Sequence, residues 1–147
     1  MSADFDTSAL RSDPRVAWVE DVLRFSDTDQ NGHVNNSTFS VLAESGRVNL
    51  FRTRLGDGPE PDRYWVIAKL TLEFRRELHY PGRVRTGTWL NRVGTTSLGI
   101  SQVILAEDGT LAAKAEAVCV SMGRATRRPA PFTDATRQEA EGLVRSG

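Results

Sequence analysis

The segment DTDQNGHVNN, at positions 27–36, carries acidic, amide and imidazole groups at a spacing that two kinds of site could use. The alternating oxygen ligands of a calcium-binding loop are matched by Asp27, Asp29 and Asn31. Gly32 supplies the sharp turn of such a loop, but its twelfth position, which requires a bidentate Glu, is Thr38. Because a charge and the closing ligand are missing, the sequence argues against a calcium site, and we predict no metal.

The same segment could instead form a site for acyl transfer to water. Asp29 precedes a predicted helix whose first backbone N–H groups, around Asn36, have no acceptor within the helix. These donors and the positive end of the helix dipole can polarise a carbonyl, while a nearby carboxylate activates water or attacks directly. In the alternative interpretation the Asp and Asn side chains only cap the helix and complete a turn. The residues by themselves leave both hypotheses open.

Composition and charge restrict the class of protein. The 147 residues suffice for one domain, and 19 basic residues balance 19 acidic ones, so no net field attracts nucleic acid or an anionic membrane. The single cysteine, Cys119, excludes an internal disulfide and a thiolate metal cluster. Residues 1–14 lack the features of a secretory signal, and no apolar stretch has membrane-spanning length. We therefore expect a cytoplasmic protein without a cofactor, with a flexible N-terminal arm at residues 1–14.

Hydrophobic periodicity predicts one helix and an antiparallel sheet. Apolar residues recur at helical spacing between positions 36 and 55, and Gly46 within this helix indicates that something packs very close to it. Strands are predicted at positions 63–75, 83–93, 96–105 and 111–122, with a weaker one at 16–25. The pattern indicates an α+β fold in one domain at residues 15–132, followed by a short polar tail at 133–147 that could be helical.

A dense motif covers residues 24–51, RFSDTDQNGHVNNSTFSVLAESGRVNLF. It consists of an aromatic residue, Asp-x-Asp, Gly-His-Val-Asn-Asn, a second aromatic residue and a helix with Glu and Arg. In this chain these are Phe25, Asp27, Asp29, Gly32, His33, Val34, Asn35, Asn36, Phe39, Glu44 and Arg47. The motif resembles that of hotdog-fold acyl-CoA thioesterases of the 4-hydroxybenzoyl-CoA thioesterase type. The resemblance implies a hotdog fold, in which an antiparallel β-sheet wraps one long central helix.

The resemblance also implies catalytic roles for the loop. Asp29 would be the catalytic carboxylate, acting as general base or as nucleophile, and the backbone N–H of Asn36 would polarise the thioester carbonyl. His33 and Asn35 would shape the loop and contact substrate or water. The alternative for His33 is a structural hydrogen bond across a dimer.

Further site residues follow from the same resemblance. Glu44 would be a second catalytic carboxylate, as in some hotdog thioesterases, or would pair with Arg47 on the next turn of the helix. Phe39 would contact substrate, without the hydroxyl of the Tyr that many relatives have there. Ser97 would line the thioester channel, or would be only a strand hydroxyl.

Coenzyme A carries phosphates, which arginine side chains bind well. Two arginine clusters are candidates, and both could instead be solvated surface. One is formed by Arg124, Arg127 and Arg128 at the end of the last strand, and the other by Arg75, Arg76, Arg83 and Arg85 around a Pro-Gly turn. We favour Arg127 and Arg128 as substrate-binding residues.

The predicted function is hydrolysis of an acyl-CoA, or of an acyl-carrier thioester, to the free acid and a thiol. A sheet with unpaired edges needs a cover or a partner, and the resemblance implies a homodimer with active sites at the subunit boundary, or a homotetramer. A non-catalytic acyl-CoA binding protein and a hydroxyacyl-thioester dehydratase, both on the same fold, are the alternatives.

Overall fold

The computed structural model describes residues 6–55 and 61–146. Its elements, in chain order, are α1 (Ser8–Ser12), β1 (Ala17–Val22), a 3-10 turn (Phe25–Asp27), α2 (Asn36–Arg54), β2 (Arg63–Phe74), β3 (Arg83–Val93), β4 (Ser97–Leu105), β5 (Leu111–Gly123) and α3 (Asp134–Gly142). The strands form one antiparallel sheet in the order β1-β3-β4-β5-β2, and α2 contacts β1, β3 and β4. The predicted α+β hotdog architecture is confirmed. In the described part of the chain no helix is long and apolar enough to cross a membrane.

The turn between β4 and β5 follows from its residue types. The β4–β5 turn contains Gly109 at φ +89°, a conformation that favours glycine, and the Asp108 carboxylate accepts the Thr110 N–H at 3.0 Å. The register then pairs Leu105 with Leu111 directly across this turn. The predicted Asp-Gly hairpin is therefore confirmed.

Helix α2 lies against the sheet through a stripe of residues on one face. Its buried apolar residues are Phe39, Leu42, Ala43, Leu50 and Phe51. Gly46 lies in the middle of this stripe, where a Cβ atom would come within 2.6 Å of Thr88 Oγ1 and 2.7 Å of Gln102 Nε2. The close packing predicted at Gly46 is thus confirmed, since any side chain would meet two atoms of the sheet.

The neighbouring Arg47 points into the core. Only 7% of it is exposed, and its Nη1 donates to Gln102 Oε1 at 3.3 Å. Gln102 Nε2 in turn donates to the Ala43 carbonyl at 2.8 Å. Burial lowers the pKa of Arg47. The expected ion pair between Arg47 and Glu44 does not form in the described part of the chain, because Arg47 turns inward while Glu44 is exposed.

Both ends of the domain pack against the sheet. The predicted loose arm contains α1, and Leu10 of this helix is fully buried in a cluster with Trp89 and Leu105. Asp13 forms ion pairs with Arg15 at 2.8 Å and with Arg145 at 3.0 Å, so it joins the arm to the C-terminal tail. Residues 8–14 of the predicted arm thus pack on the domain, whereas residues 1–5 lie outside the described residues. The predicted helical character of the tail is confirmed by α3.

Candidate active site

The acidic loop before α2 is a tight turn closed by backbone hydrogen bonds. The Asp29 N–H donates to the His33 carbonyl at 2.8 Å, and the Gly32 N–H donates back to the Asp29 carbonyl at 3.0 Å. Gly32 has φ +79°, which explains why glycine occupies this position. The turn brings Asp29 and His33 next to each other at its base.

The carboxylate of Asp29 is half-buried and oriented by the loop itself. Its Oδ1 accepts the Asn31 N–H at 2.9 Å. Among the described residues no second donor contacts this carboxylate. One oxygen is therefore held in place by the turn, and the other is available to a substrate or a water molecule.

The start of α2 leaves one backbone donor without a protein acceptor. Asn35 is the N-cap, and its Oδ1 accepts both the N–H and the hydroxyl of Ser37 at 3.0 Å. The Asn35 N–H donates to the Asp27 carbonyl at 2.7 Å, which anchors the helix start to the loop. The next N–H, that of Asn36, has no acceptor within residues 6–55 and 61–146. It is the donor that could polarise a bound carbonyl.

A cavity of about 380 Å³ opens between this loop, the first turn of α2 and the end of β2. Its lining residues are Asp29, Asn31, His33, Val34, Asn36, Phe39, Phe74, Arg75, Arg76 and Glu77. Phe39 forms one apolar wall with Phe74, whose ring lies edge to face with it at 5.2 Å. The structure thus brings together four predicted site residues, Asp29, His33, Asn36 and Phe39, in one cavity.

The cations at this cavity are Arg75 and Arg76, which follow β2. Their N–H groups both donate to the Ala112 carbonyl, at 2.8 and 3.0 Å, so the chain bends here. The favoured Arg127 and Arg128 follow β5 instead, as exposed residues. Since the β2–β5 ladder runs from Phe74↔Ala113 to Arg63↔Gly123, the two arginine pairs lie about 30 Å apart along the strands of one chain.

Two further candidates also lie away from the cavity. Ser97 begins β4 and pairs with Val120, at the end of the sheet remote from Phe74, and its hydroxyl accepts a hydrogen bond from Arg92 at 3.3 Å. Glu44 is exposed and lines a separate pocket of about 240 Å³ beside Arg47 and β2. Within one chain, neither side chain meets the Asp29 carboxylate.

Glu77 is a cavity residue that the sequence analysis did not identify. Its Oε2 lies 3.2 Å from His33 Nε2. The pattern that could have found it is the alternation at positions 77–79, where the buried Leu78 stands between two exposed polar residues. This alternation extends the strand pattern beyond the end of β2.

Comparison with known proteins agrees with a hotdog fold. A predicted thioesterase from Bacillus stearothermophilus is 30% identical with a TM-score of 0.81, and the match covers 90% of this chain and 98% of the other. A thioesterase from Thermus thermophilus, complexed with coenzyme A and Zn, is 30% identical with a TM-score of 0.75, over 86% of this chain and 93% of the other. The DHNA-CoA thioesterase from Staphylococcus aureus shares 18% identity at a TM-score of 0.77, over 86% and 89%, and this likeness shows the fold alone.

The class defined by the fold and the loop is that of hotdog proteins with an acidic loop before the central helix. Residues 23–139 match the thioesterase-like superfamily, and the chain belongs to it. No protein of curated function matches the sequence significantly. The prediction of a hotdog thioester hydrolase, made from the motif at residues 24–51, is confirmed at the level of family and enzyme class.

Proposed function

We propose that the protein hydrolyses acyl-CoA thioesters in the cavity between the acidic loop and the end of β2, with Asp29 as the catalytic carboxylate. The observation that carries this proposal is that Asp29 and Asn36 line the same cavity, while the Asn36 N–H has no acceptor among the described residues. A carboxylate can activate water for attack on a thioester carbonyl, and an N–H donor can stabilise the oxyanion that forms. Both groups are also fixed in place, one by the Asn31 N–H and the other by the Asn35 cap.

Asp29 could act by either of two routes. As a general base it takes a proton from water, whose oxygen attacks the carbonyl carbon; the C–S bond then breaks and the thiolate leaves to be protonated. As a nucleophile it attacks the carbonyl itself, giving a mixed anhydride and a thiol, and water then hydrolyses the anhydride. Both routes give a free acid and coenzyme A. In both, the developing oxyanion is stabilised by the Asn36 N–H and by the positive end of the α2 dipole.

Arg75 and Arg76 are the proposed contacts for the phosphates of coenzyme A. They line the cavity beside Asp29, and guanidinium groups bind phosphate oxygens well. Arg127, Arg128 and Ser97 stay predictions that require a second subunit, because one chain does not bring them to this cavity.

A homodimer is the proposed assembly, with a tetramer as the alternative. Within residues 6–55 and 61–146, the edge strands β1 and β2 each pair with one neighbouring strand only, which favours association through a strand. Large apolar side chains are exposed nearby, including Ile67 and Phe74 on β2 and Val41 and Val48 on α2. A partner covering these residues would also border the cavity, since Phe74 lines it.

The test is thiol release from a panel of acyl-CoAs, from acetyl to palmitoyl with one aromatic member. Wild type is compared with Asp29→Asn, which keeps the shape and removes the charge. Asp62→Asn is the matched control, because Asp62 is exposed at the other end of β2. We expect turnover by wild type and the control, and a fall of about 10² or more in Asp29→Asn.

The other outcomes separate the alternatives. If wild type binds acyl-CoA but releases no thiol, the protein is a binding protein and the proposed activity is wrong. If a hydroxyacyl-CoA loses water while its thioester stays intact, the enzyme is a dehydratase. Equal turnover by wild type and Asp29→Asn would mean that the protein is a thioesterase in which Asp29 has no catalytic role.

A further inference from the structure

His33, which lines the cavity, and His79 lie side by side, although these two histidines of the chain are far apart in the sequence. His33 and His79 form an antiparallel bridge, and the adjacent Val34 N–H donates to the Leu78 carbonyl at 2.8 Å. Their rings meet edge to face, with centroids 5.2 Å apart. The pairing of the two backbone segments therefore fixes both imidazoles on one side of the bridge.

Alternation of side chains adds a carboxylate to this pair. Val34 and Leu78 are each only 3% exposed, so they point into the core. Their neighbours His33, Glu77 and His79 consequently point outward. Side-chain exposures of 36% for His33 and 61% for both Glu77 and His79 leave the group open to solvent.

The distances within this group suit a first-row transition metal. Glu77 Oε2 lies 3.2 Å from His33 Nε2 and 3.7 Å from His79 Nε2, and the ligand atoms all lie within 4.8 Å of one another. Zinc binds His nitrogen and carboxylate oxygen at about 2.0–2.2 Å, and tetrahedral geometry then separates two ligands by about 3.3–3.5 Å. Two of the three separations are already close to this value. The third separation, between the two imidazole nitrogens, is at most 4.8 Å, so a bound ion would require the exposed His79 ring to turn.

We propose that His33, Glu77 and His79 form a binding site for a divalent transition-metal ion of the zinc type. Imidazole ligands favour zinc and its neighbours, whereas magnesium and calcium prefer oxygen ligands alone. Three protein ligands leave a fourth position for water or for another ligand. This proposal departs from the expectation that the protein has no metal site.

Isothermal titration of the full chain with Zn²⁺ tests the proposal directly. Wild type is compared with Glu77→Gln and His79→Gln, and Glu139→Gln is the matched control because Glu139 is exposed on α3. We expect one Zn²⁺ per chain in wild type and in the control, and binding weaker by at least about tenfold in each ligand variant. Mg²⁺ should give no comparable binding. Circular dichroism establishes that every variant is folded.

Two results would overturn the proposal: no saturable Zn²⁺ binding by wild type, or unchanged affinity in both ligand variants. In the first case the three residues form only a hydrogen-bonded ion pair at the cavity rim. Metal binding is measured without any thioester, so a failure here leaves the proposed hydrolase activity untouched. Conversely, loss of turnover in Asp29→Asn gives no information about the metal.

Discussion

Replacing Gly46 by Ala should destabilise the protein, although the same change inside a helix usually stabilises it. Gly46 lies in the middle of α2, where its backbone contacts the sheet. An added Cβ would lie 2.6 Å from Thr88 Oγ1, 2.7 Å from Gln102 Nε2 and 2.8 Å from Thr86 Cγ2. Contacts this short require the helix or the three sheet residues to move.

The expected magnitude is a net loss of about 3 kcal/mol. Overpacking in a closely packed core costs about 1–3 kcal/mol. Displacement of Gln102 also disturbs its hydrogen bonds to the Ala43 carbonyl at 2.8 Å and to Thr88 Oγ1 at 2.9 Å, each contributing about 1 kcal/mol. The better helix propensity of Ala returns about 1 kcal/mol. For a domain of this size the net loss lowers the Tm by about 6–12 °C.

The assay is thermal and urea unfolding of Gly46→Ala beside Gly142→Ala. Gly142 is also helical, but nothing lies within 4 Å of the Cβ it would gain, so this control should be neutral or slightly stabilising. In a Thr88→Ala background, Gly46→Ala should lower the free energy of unfolding by less, because the nearest obstructing atom is gone. If both glycine variants stabilise the protein equally, the close approach of helix and sheet is refuted.

Two further predictions concern titratable groups away from the cavity. Cys119 is 3% exposed and burial raises its pKa, so its thiol should react with a disulfide reagent only after unfolding; rapid labelling of the native protein would contradict this. Hydrogen bonds from Arg15, with a further one from Arg145, hold the pKa of Asp13 well below 3.8. Its contribution to stability is therefore present above about pH 4 and is lost as the pH falls below that value. Urea unfolding should accordingly show Asp13→Asn less stable than wild type at pH 6, with a difference that narrows at pH 3; an equal difference at both would contradict the pairing.

The features that the sequence predicted well are those determined by neighbours along the chain. The turn at Gly32, the cap at Asn35 and the approach of Asp29 to the helix start all lie within one short segment. Their hydrogen bonds join residues only a few positions apart, so residue types at fixed spacing were sufficient. The close packing at Gly46 was predicted because glycine inside a helix costs stability and therefore indicates a close neighbour, although the sequence did not identify Thr88 and Gln102 as that neighbour.

The side of the cavity formed by Arg76 and Glu77 depends on strand pairing, which the residue types alone did not predict. Arg76 and Glu77 reach the loop only because β2 pairs with β5 at the sheet edge and its end bends at Ala112. The favoured Arg127 and Arg128 lie at the other end of the same ladder, near the Arg63↔Gly123 pair, and stay predictions. Polarity likewise suggested a loose arm at residues 1–14, whereas Leu10, the buried residue of α1, packs in a cluster with Trp89 and Leu105.

Backbone bonding joins the acidic loop to the segment after β2, and this makes the two proposed sites parts of one structure. The Val34 N–H donates to the Leu78 carbonyl. The carbonyl of the preceding residue, His33, accepts the Asp29 N–H. A ligand that moves the His33 backbone must therefore also move the base of the turn that orients Asp29. Because His33 and Glu77 both line the cavity with Asp29, a bound cation would add positive charge to the surroundings of the proposed catalytic carboxylate. A bound metal ion would thus change both the position of Asp29 and the charge around its carboxylate.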